Sequence, residues 1–231
     1  MEKKLPGGRK TGRPLHFIWM CDCSGSMAGE KIHSLNYAIQ TAIPAMRSAA
    51  DENPNAEIFV RCITFSDGAQ WQISQPTPVE DFAWTDLTAD GVTDMGKALS
   101  MVADQLKMIP TTERGLPPVL VLISDGQPTD DFNGGFKALM DQPWGQKAVR
   151  IGIAIGQDAD LSVLQKFMGH PELKPLQANN AETLVRYIKW ASTTGLQVAT
   201  APRLQTADSA AQAMYVPIPT PPDPVDDDVV F

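Results

Sequence analysis

Leu15-His16-Phe17-Ile18-Trp19-Met20-Cys21-Asp22-Cys23-Ser24-Gly25-Ser26 is the stretch that decides the fold. From about Leu15 to Cys21 it is apolar at nearly every position. A half-solvated strand would alternate, so this run predicts a central strand of a parallel sheet, covered on both faces. It then breaks into Asp22-Cys23-Ser24-Gly25-Ser26, a loop composition. Val119-Leu120-Val121-Leu122-Ile123 repeats the arrangement, a continuous apolar run ending in Ser124-Asp125-Gly126. Val149 to Ile155 reads as a third buried strand.

Helical patterns separate these runs. Ile32, Leu35, Ile39, Ile43 and Met46 recur at three- and four-residue spacing and make one buried stripe. Pro44 is expected to kink this helix or start a new turn. A strand is expected at Ile58 to Phe65, with a short one at Trp71 to Ile73 after the turn at Asp67-Gly68, the two forming a hairpin. Residues 75–90 read as irregular. A second helix is expected from about Thr93 to Met108, with Met95, Leu99, Val102 and Leu106 inward. A helix from Asp130 to Met140 is expected despite Gly134-Gly135. Leu161, Leu164 and Phe167 mark a short helix. Leu184, Val185, Ile188 and Ala191 mark the last one, capped by Asn180. The fold class is therefore α/β: a doubly wound, mostly parallel central sheet flanked by helices, with one antiparallel edge strand.

The 231 residues and 43% hydrophobic content suit one large domain with tails. The domain is expected over 15–194. Residues 1–14 read as a flexible basic arm, and 195–231 as a Pro/Asp-rich, largely disordered tail, although Leu204 and Tyr215 are unusual for one. The net charge of −8 disfavours nucleic acid as a partner. No apolar run spans a bilayer or makes a secretory core. That absence, with three sparse cysteines (Cys21, Cys23, Cys62) that make no disulfide framework or zinc site, points to a reducing cytoplasmic compartment.

Ligands of open parallel sheets bind outside the carboxyl ends of the strands. Three polar loops should meet there, carrying Asp22, Ser24 and Ser26, then Thr93, then Asp125. Two carboxylates and three hydroxyls are hard oxygen donors, which suit Mg²⁺ or Mn²⁺ better than Zn²⁺ or copper. Ser24 and Ser26, two apart on an extended loop, can point the same way. Two carboxylates would leave a dication about neutral and open to one more carboxylate from outside. Taken singly, these residues are also ordinary turn and cap residues.

Asp22-Cys23-Ser24-Gly25-Ser26, Thr93 and Asp125-Gly126, in that order, resemble the von Willebrand factor A family and its metal-ion-dependent adhesion site. The resemblance covers about residues 15–193. It implies coordination by Ser24, Ser26 and Thr93, with Asp22 and Asp125 acting directly or through water. It also implies a protein partner whose Asp or Glu completes the shell. Met27 to Met46 and Val92 to Leu99 are similar to the bacterial TerY-type proteins. Those are cytoplasmic proteins of tellurite and stress resistance that often act beside a Ser/Thr kinase and a PP2C-type phosphatase. The zinc module of some relatives cannot be built from the cysteines here.

No catalytic triad is readable. His16, His33 and His170 lie outside the three loops, so a non-enzymatic binding module is expected. The alternative is a Mg²⁺-dependent phosphotransferase of the haloacid-dehalogenase type with Asp22 as nucleophile. Its second aspartate would fall on Ser24, which argues against it. No Walker-type loop is present. Thr206, Ser209 and Thr220 are candidate phosphosites if the tail is a kinase substrate. A partner carboxylate is expected to shift the Thr93 loop, which requires differential affinity for two states.

Overall fold

The computed structural model describes residues 12–53, 55–109, 115–157, 159–170, 173–200 and 219–224. The deciding apolar run is strand β1 (Arg13–Asp22), and it lies inside the sheet. The chain continues through a 3-10 turn (Gly25–Met27), α1 (Glu30–Asp51), β2 (Ala56–Ser66), β3 (Gly68–Pro78) and α2 (Met95–Met108). After these come β4 (Val119–Ser124), α3 (Phe132–Met140), α4 (Pro143–Lys147), β5 (Val149–Ile155), α5 (Leu161–Met168), β6 (Leu176–Ala178) and α6 (Ala181–Thr200). The sheet order is β3-β2-β1-β4-β5-β6. All pairings are parallel except β2 with β3, the edge hairpin.

Side chains alternate across a strand, so β1 feeds two cores. Leu15, Phe17, Trp19 and Cys21 pack beneath α1 and α6. Ile18 and Met20 face the opposite layer, with α2, Phe132 and Leu139 of α3, and Phe167 of α5. Each of these β1 side chains is 0% exposed. β4 is buried at all six positions, as its unbroken apolar run requires. The three cysteines are free and buried.

Several boundaries differ from expectation, each for a local reason. α1 passes through Pro44 without starting a new element. Pro44 is exposed there, so water can reach the backbone carbonyl that loses its donor. β3 is longer than Trp71 to Ile73 and takes in part of the stretch read as irregular. It is an edge strand, where Pro76 and Pro78 cost no central ladder bond, and its register against β2 shifts between Val60 and Ile63. α3 keeps its glycines because a Cβ on Gly135 would fall 2.1 Å from the Gly96 carbonyl oxygen, so two helix backbones touch there.

α6 is capped as expected, with Thr183 N donating to Asn180 Oδ1 at 2.8 Å. It runs to Thr200, past the expected boundary at 194, and Leu196, Val198 and Ala199 of its last turns are buried. The expectations of a flexible arm over 1–14 and a disordered tail over 195–231 fall mostly outside the described residues. Of the tail, residues 219–224 are described, and Arg186 Nη1 donates to the Asp223 carbonyl at 3.1 Å. Among the described residues, no helix is long and apolar enough to cross a membrane.

Candidate metal centre

The parallel register sets β1 and β4 side by side with their carboxyl ends at the same sheet edge. Asp22 is the last residue of β1 and is 0% exposed. Its Oδ1 accepts from the Ser24 amide at 2.8 Å, which fixes the turn that follows. Its Oδ2 accepts from the Ser124 hydroxyl at 2.5 Å, across from the end of β4. Asp125, the next residue, is also buried. Its Oδ1 accepts from Ser26 Oγ at 2.8 Å, and its Oδ2 accepts from Lys31 Nζ at 2.7 Å. The Ser24 and Ser26 hydroxyls are hydrogen-bonded to each other at 3.0 Å. One continuous polar network thus joins Asp22, Ser24, Ser26, Asp125, Ser124 and Lys31.

Thr93 arrives from a third loop, laced to the first by two backbone bonds. Gly25 N donates to Gly91 O at 2.9 Å, and Asp90 N to Cys23 O at 2.8 Å. Gly91 has φ +81°, and a Cβ there would meet the Asp67 carboxylate at 2.7 Å. Asp67 in turn accepts from Val92 N at 3.0 Å. The backbone of Thr93 is held in both directions by Thr129, which accepts from Thr93 N at 3.0 Å and donates its own amide to Thr93 O at 2.9 Å. The hydroxyls of Thr93 and Ser26 both lie 3.8 Å from where a Cβ on Gly126 would stand. Thr93 and Ser26 therefore flank Gly126, which brings Thr93 beside the network of the other four expected donors.

Thr93 does not open α2, as the sequence suggests; the helix begins at Met95. Its first amides are satisfied from outside, since Gly96 N and Lys97 N each donate to Asp130 at 2.8 Å. Asp94 holds the β2–β3 turn instead, accepting from Gly68 N at 2.8 Å. Sequence reasoning missed four contributors: Lys31, Ser124, Thr129 and Asp130. Ser124 had a signal, adjacency to Asp125 at a strand end. The other three act through long-range contacts that no local pattern announces.

Burial pushes the Asp22 carboxyl above the usual range, and the charge of Asp125 adds to this. Hydrogen bonds from Ser124 and Ser24 pull the other way. Two buried carboxylates face one space with one ammonium, Lys31, on Asp125, and the side chains available to a metal there are all hard oxygens. The residues fit a small divalent cation such as Mg²⁺ or Mn²⁺. Among the described residues no group of three or more His, Cys, Asp or Glu side chains is placed to hold a metal ion, so such an ion would draw on hydroxyls and water beyond the two carboxylates.

Comparison with known proteins agrees with this geometry at the level of the fold. Residues 17–127 match the family model of the von Willebrand factor type A domain. A solved von Willebrand factor type A protein from Catenulispora acidiphila is 17% identical with a TM-score of 0.61, over 80% of this chain and 43% of that one. The ArnB paralog VWA2 from Sulfolobus acidocaldarius is 19% identical with a TM-score of 0.55, over 76% of this chain and 44% of that one. A mutant PilB minor pilin from Streptococcus sanguinis is 14% identical with a TM-score of 0.57, over 84% and 63%. This chain therefore spans less than two thirds of each of these structures. No curated protein sequence matches it. The family match over residues 17–127 and the solved structures agree on a von Willebrand factor A-type fold for this chain. They lend no support to the phosphotransferase alternative.

Proposed function

We propose that this chain is a non-enzymatic binding module that holds Mg²⁺ or Mn²⁺ through Asp22, Ser24, Ser26, Thr93 and Asp125 and uses the ion to grip an acidic side chain of a partner protein. The observation that carries this reading is the convergence of two buried carboxylates and three hydroxyls at one sheet edge. The ion would supply a fixed positive charge at the sheet edge. Ser24 and Ser26 are held by a tight turn, and Thr93 by Thr129, so little ordering is left to do when an ion binds. Val92, beside Thr93, is 46% exposed and offers an apolar contact next to the site.

The TerY-type resemblance of Met27–Met46 and Val92–Leu99 favours a bacterial stress or tellurite-resistance setting, with a Ser/Thr kinase and a PP2C-type phosphatase as partners. A cytoplasmic location belongs to the same proposal. Three buried free thiols are compatible with it.

Calorimetric titration of Mg²⁺ and Mn²⁺ into metal-stripped protein tests the site, with Asp22→Ala as control. Saturable binding that the substitution abolishes is the expected result. Silence in the wild type, even with glutamate or acetate at high concentration, would overturn the reading.

A further inference from the structure

A third charge stands inside the candidate centre. Lys31, in the first turns of α1, places Nζ 2.7 Å from Asp125 Oδ2, with the two side chains only 14% and 0% exposed. This is no surface ion pair. The ammonium sits on the same carboxylate whose other oxygen takes the Ser26 hydroxyl, so Asp125 is shared between Lys31 and the proposed metal ligands.

We infer that Lys31 is the built-in counter-cation of this centre, weakening its hold on a metal ion alone and making tight binding depend on an added carboxylate. The inference rests on the metal-binding reading above. The argument is one of charge. Within the hydrogen-bonded network Asp22 and Asp125 bring two negative charges and Lys31 one positive, so these three groups together contribute a single negative charge. A dication would leave the centre with one net positive charge in a largely desolvated space, where Coulomb terms are strong. That excess opposes metal entry and attracts one anion. A partner carboxylate cancels it, so metal and partner each favour the other, and by linkage the coupling is reciprocal. Without Lys31 the two carboxylates alone would neutralise the dication, and the added carboxylate would have no net charge to cancel. Lys31 is therefore a positioning and selectivity group: it makes the centre a sensor of metal and acidic partner together.

The test compares wild type, Lys31→Met and Lys31→Arg as metal-stripped full chains. Mg²⁺ and Mn²⁺ are titrated by calorimetry with and without saturating acetate, and melting is followed in a chelator. Lys31→Met is expected to bind metal about tenfold tighter or more without acetate, and to lose most of the gain acetate gives the wild type. In chelator it should melt lower, because the buried Asp125 carboxylate loses its ion pair, and Mg²⁺ should restore the melt. Lys31→Arg should stay near wild type in both acetate dependence and chelator melt. Equal metal affinity and equal acetate dependence in wild type and Lys31→Met would overturn this inference and leave the metal reading standing. No binding by any of the three, with or without acetate, would overturn both.

Discussion

The two ends of β1 each bury an ionisable group beside a like charge, and they settle the conflict in opposite ways. At the start of the strand His16 stacks on Phe59, with ring centroids 5.8 Å apart, and feels the guanidinium of Arg61. Burial first, and Arg61 second, lower its pKa to about 4. Arg61 is itself buried, held by Gln105 at 2.7 Å and lying over the Trp71 ring. This end becomes comfortable by giving up a proton: near neutral pH the imidazole is uncharged and the conflict is gone. At the other end Asp22 and Asp125 face one space, and the protein supplies hydroxyls and one ammonium. Those groups ease the charge without removing it. What differs is therefore the outcome: at one end deprotonation removes the like-charge conflict, and at the other two carboxylates and an ammonium stay together in one buried network.

Asp22→Asn should break the contrast most sharply. The amide carries no charge to desolvate, so the metal-free protein should become more stable near pH 7, the direction set by burial of the Asp22 carboxyl. The same change should cost metal binding at least about a hundredfold, since it removes one of two anionic donors. Denaturant melts in a chelator, together with calorimetry, read both effects. Lower stability without metal would mean that the carboxyl end of β1 carries no unresolved charge.

The opposite end gives the next effect, with its sign set by linkage. The folded pKa of His16 lies below the unfolded value of 6.5, so the unfolded chain takes up the proton first as pH falls. Stability is therefore full above about pH 6.5, is lost between about 6.5 and 4, and loses no more from this group below 4. Allowing for the partial exposure of His16, the loss should be about 2 kcal/mol. Asp22 works against it: a carboxyl with a raised folded pKa adds stability as pH falls. His16→Phe should flatten the acid slope while leaving the Asp22 contribution in place. An unchanged difference in stability between pH 7 and pH 4.5 would show that His16 is already at ease with its charge.

This contrast bears on how far the sequence alone can be read. Unbroken apolar runs at Phe17–Cys21 and Val119–Ile123 announce buried parallel strands, because only a covered sheet tolerates them. Polar residues placed just after those runs must gather at one edge, so the meeting of Asp22, Ser24, Ser26 and Asp125 there is legible in the sequence. Where local pattern and tertiary context disagree, legibility fails. Pro76 and Pro78 hide the length of β3, Gly195 hides the last turns of α6, and a three-residue strand such as β6 has no periodicity to read. The charge balance of the centre was illegible for another reason. Lys31 lies 94 residues from Asp125 and meets it only through the packing of α1 against the sheet. Reading two carboxylates as a neutral cradle for a dication therefore missed one charge.

Ser124→Ala should produce the smallest effect and sharpen the comparison most finely. Ser124 adds no charge; its hydroxyl holds Asp22 Oδ2 and also accepts from the Gly126 amide at 3.2 Å, so it orients a donor and anchors the Asp125 loop. Removing it should cost about 1 kcal/mol of metal affinity, a fewfold to tenfold loss, the usual price of a lost supporting bond to a ligand carboxylate. Its effect on metal-free stability should be smaller, because the hydroxyl partly relieves a carboxyl that burial already pushes toward its neutral form. Calorimetry beside a chelator melt separates the two. If affinity and metal-free stability fell by the same amount, Ser124 would be a structural strut common to both states, and the buried charge at this end of β1 would owe nothing to how Asp22 is oriented.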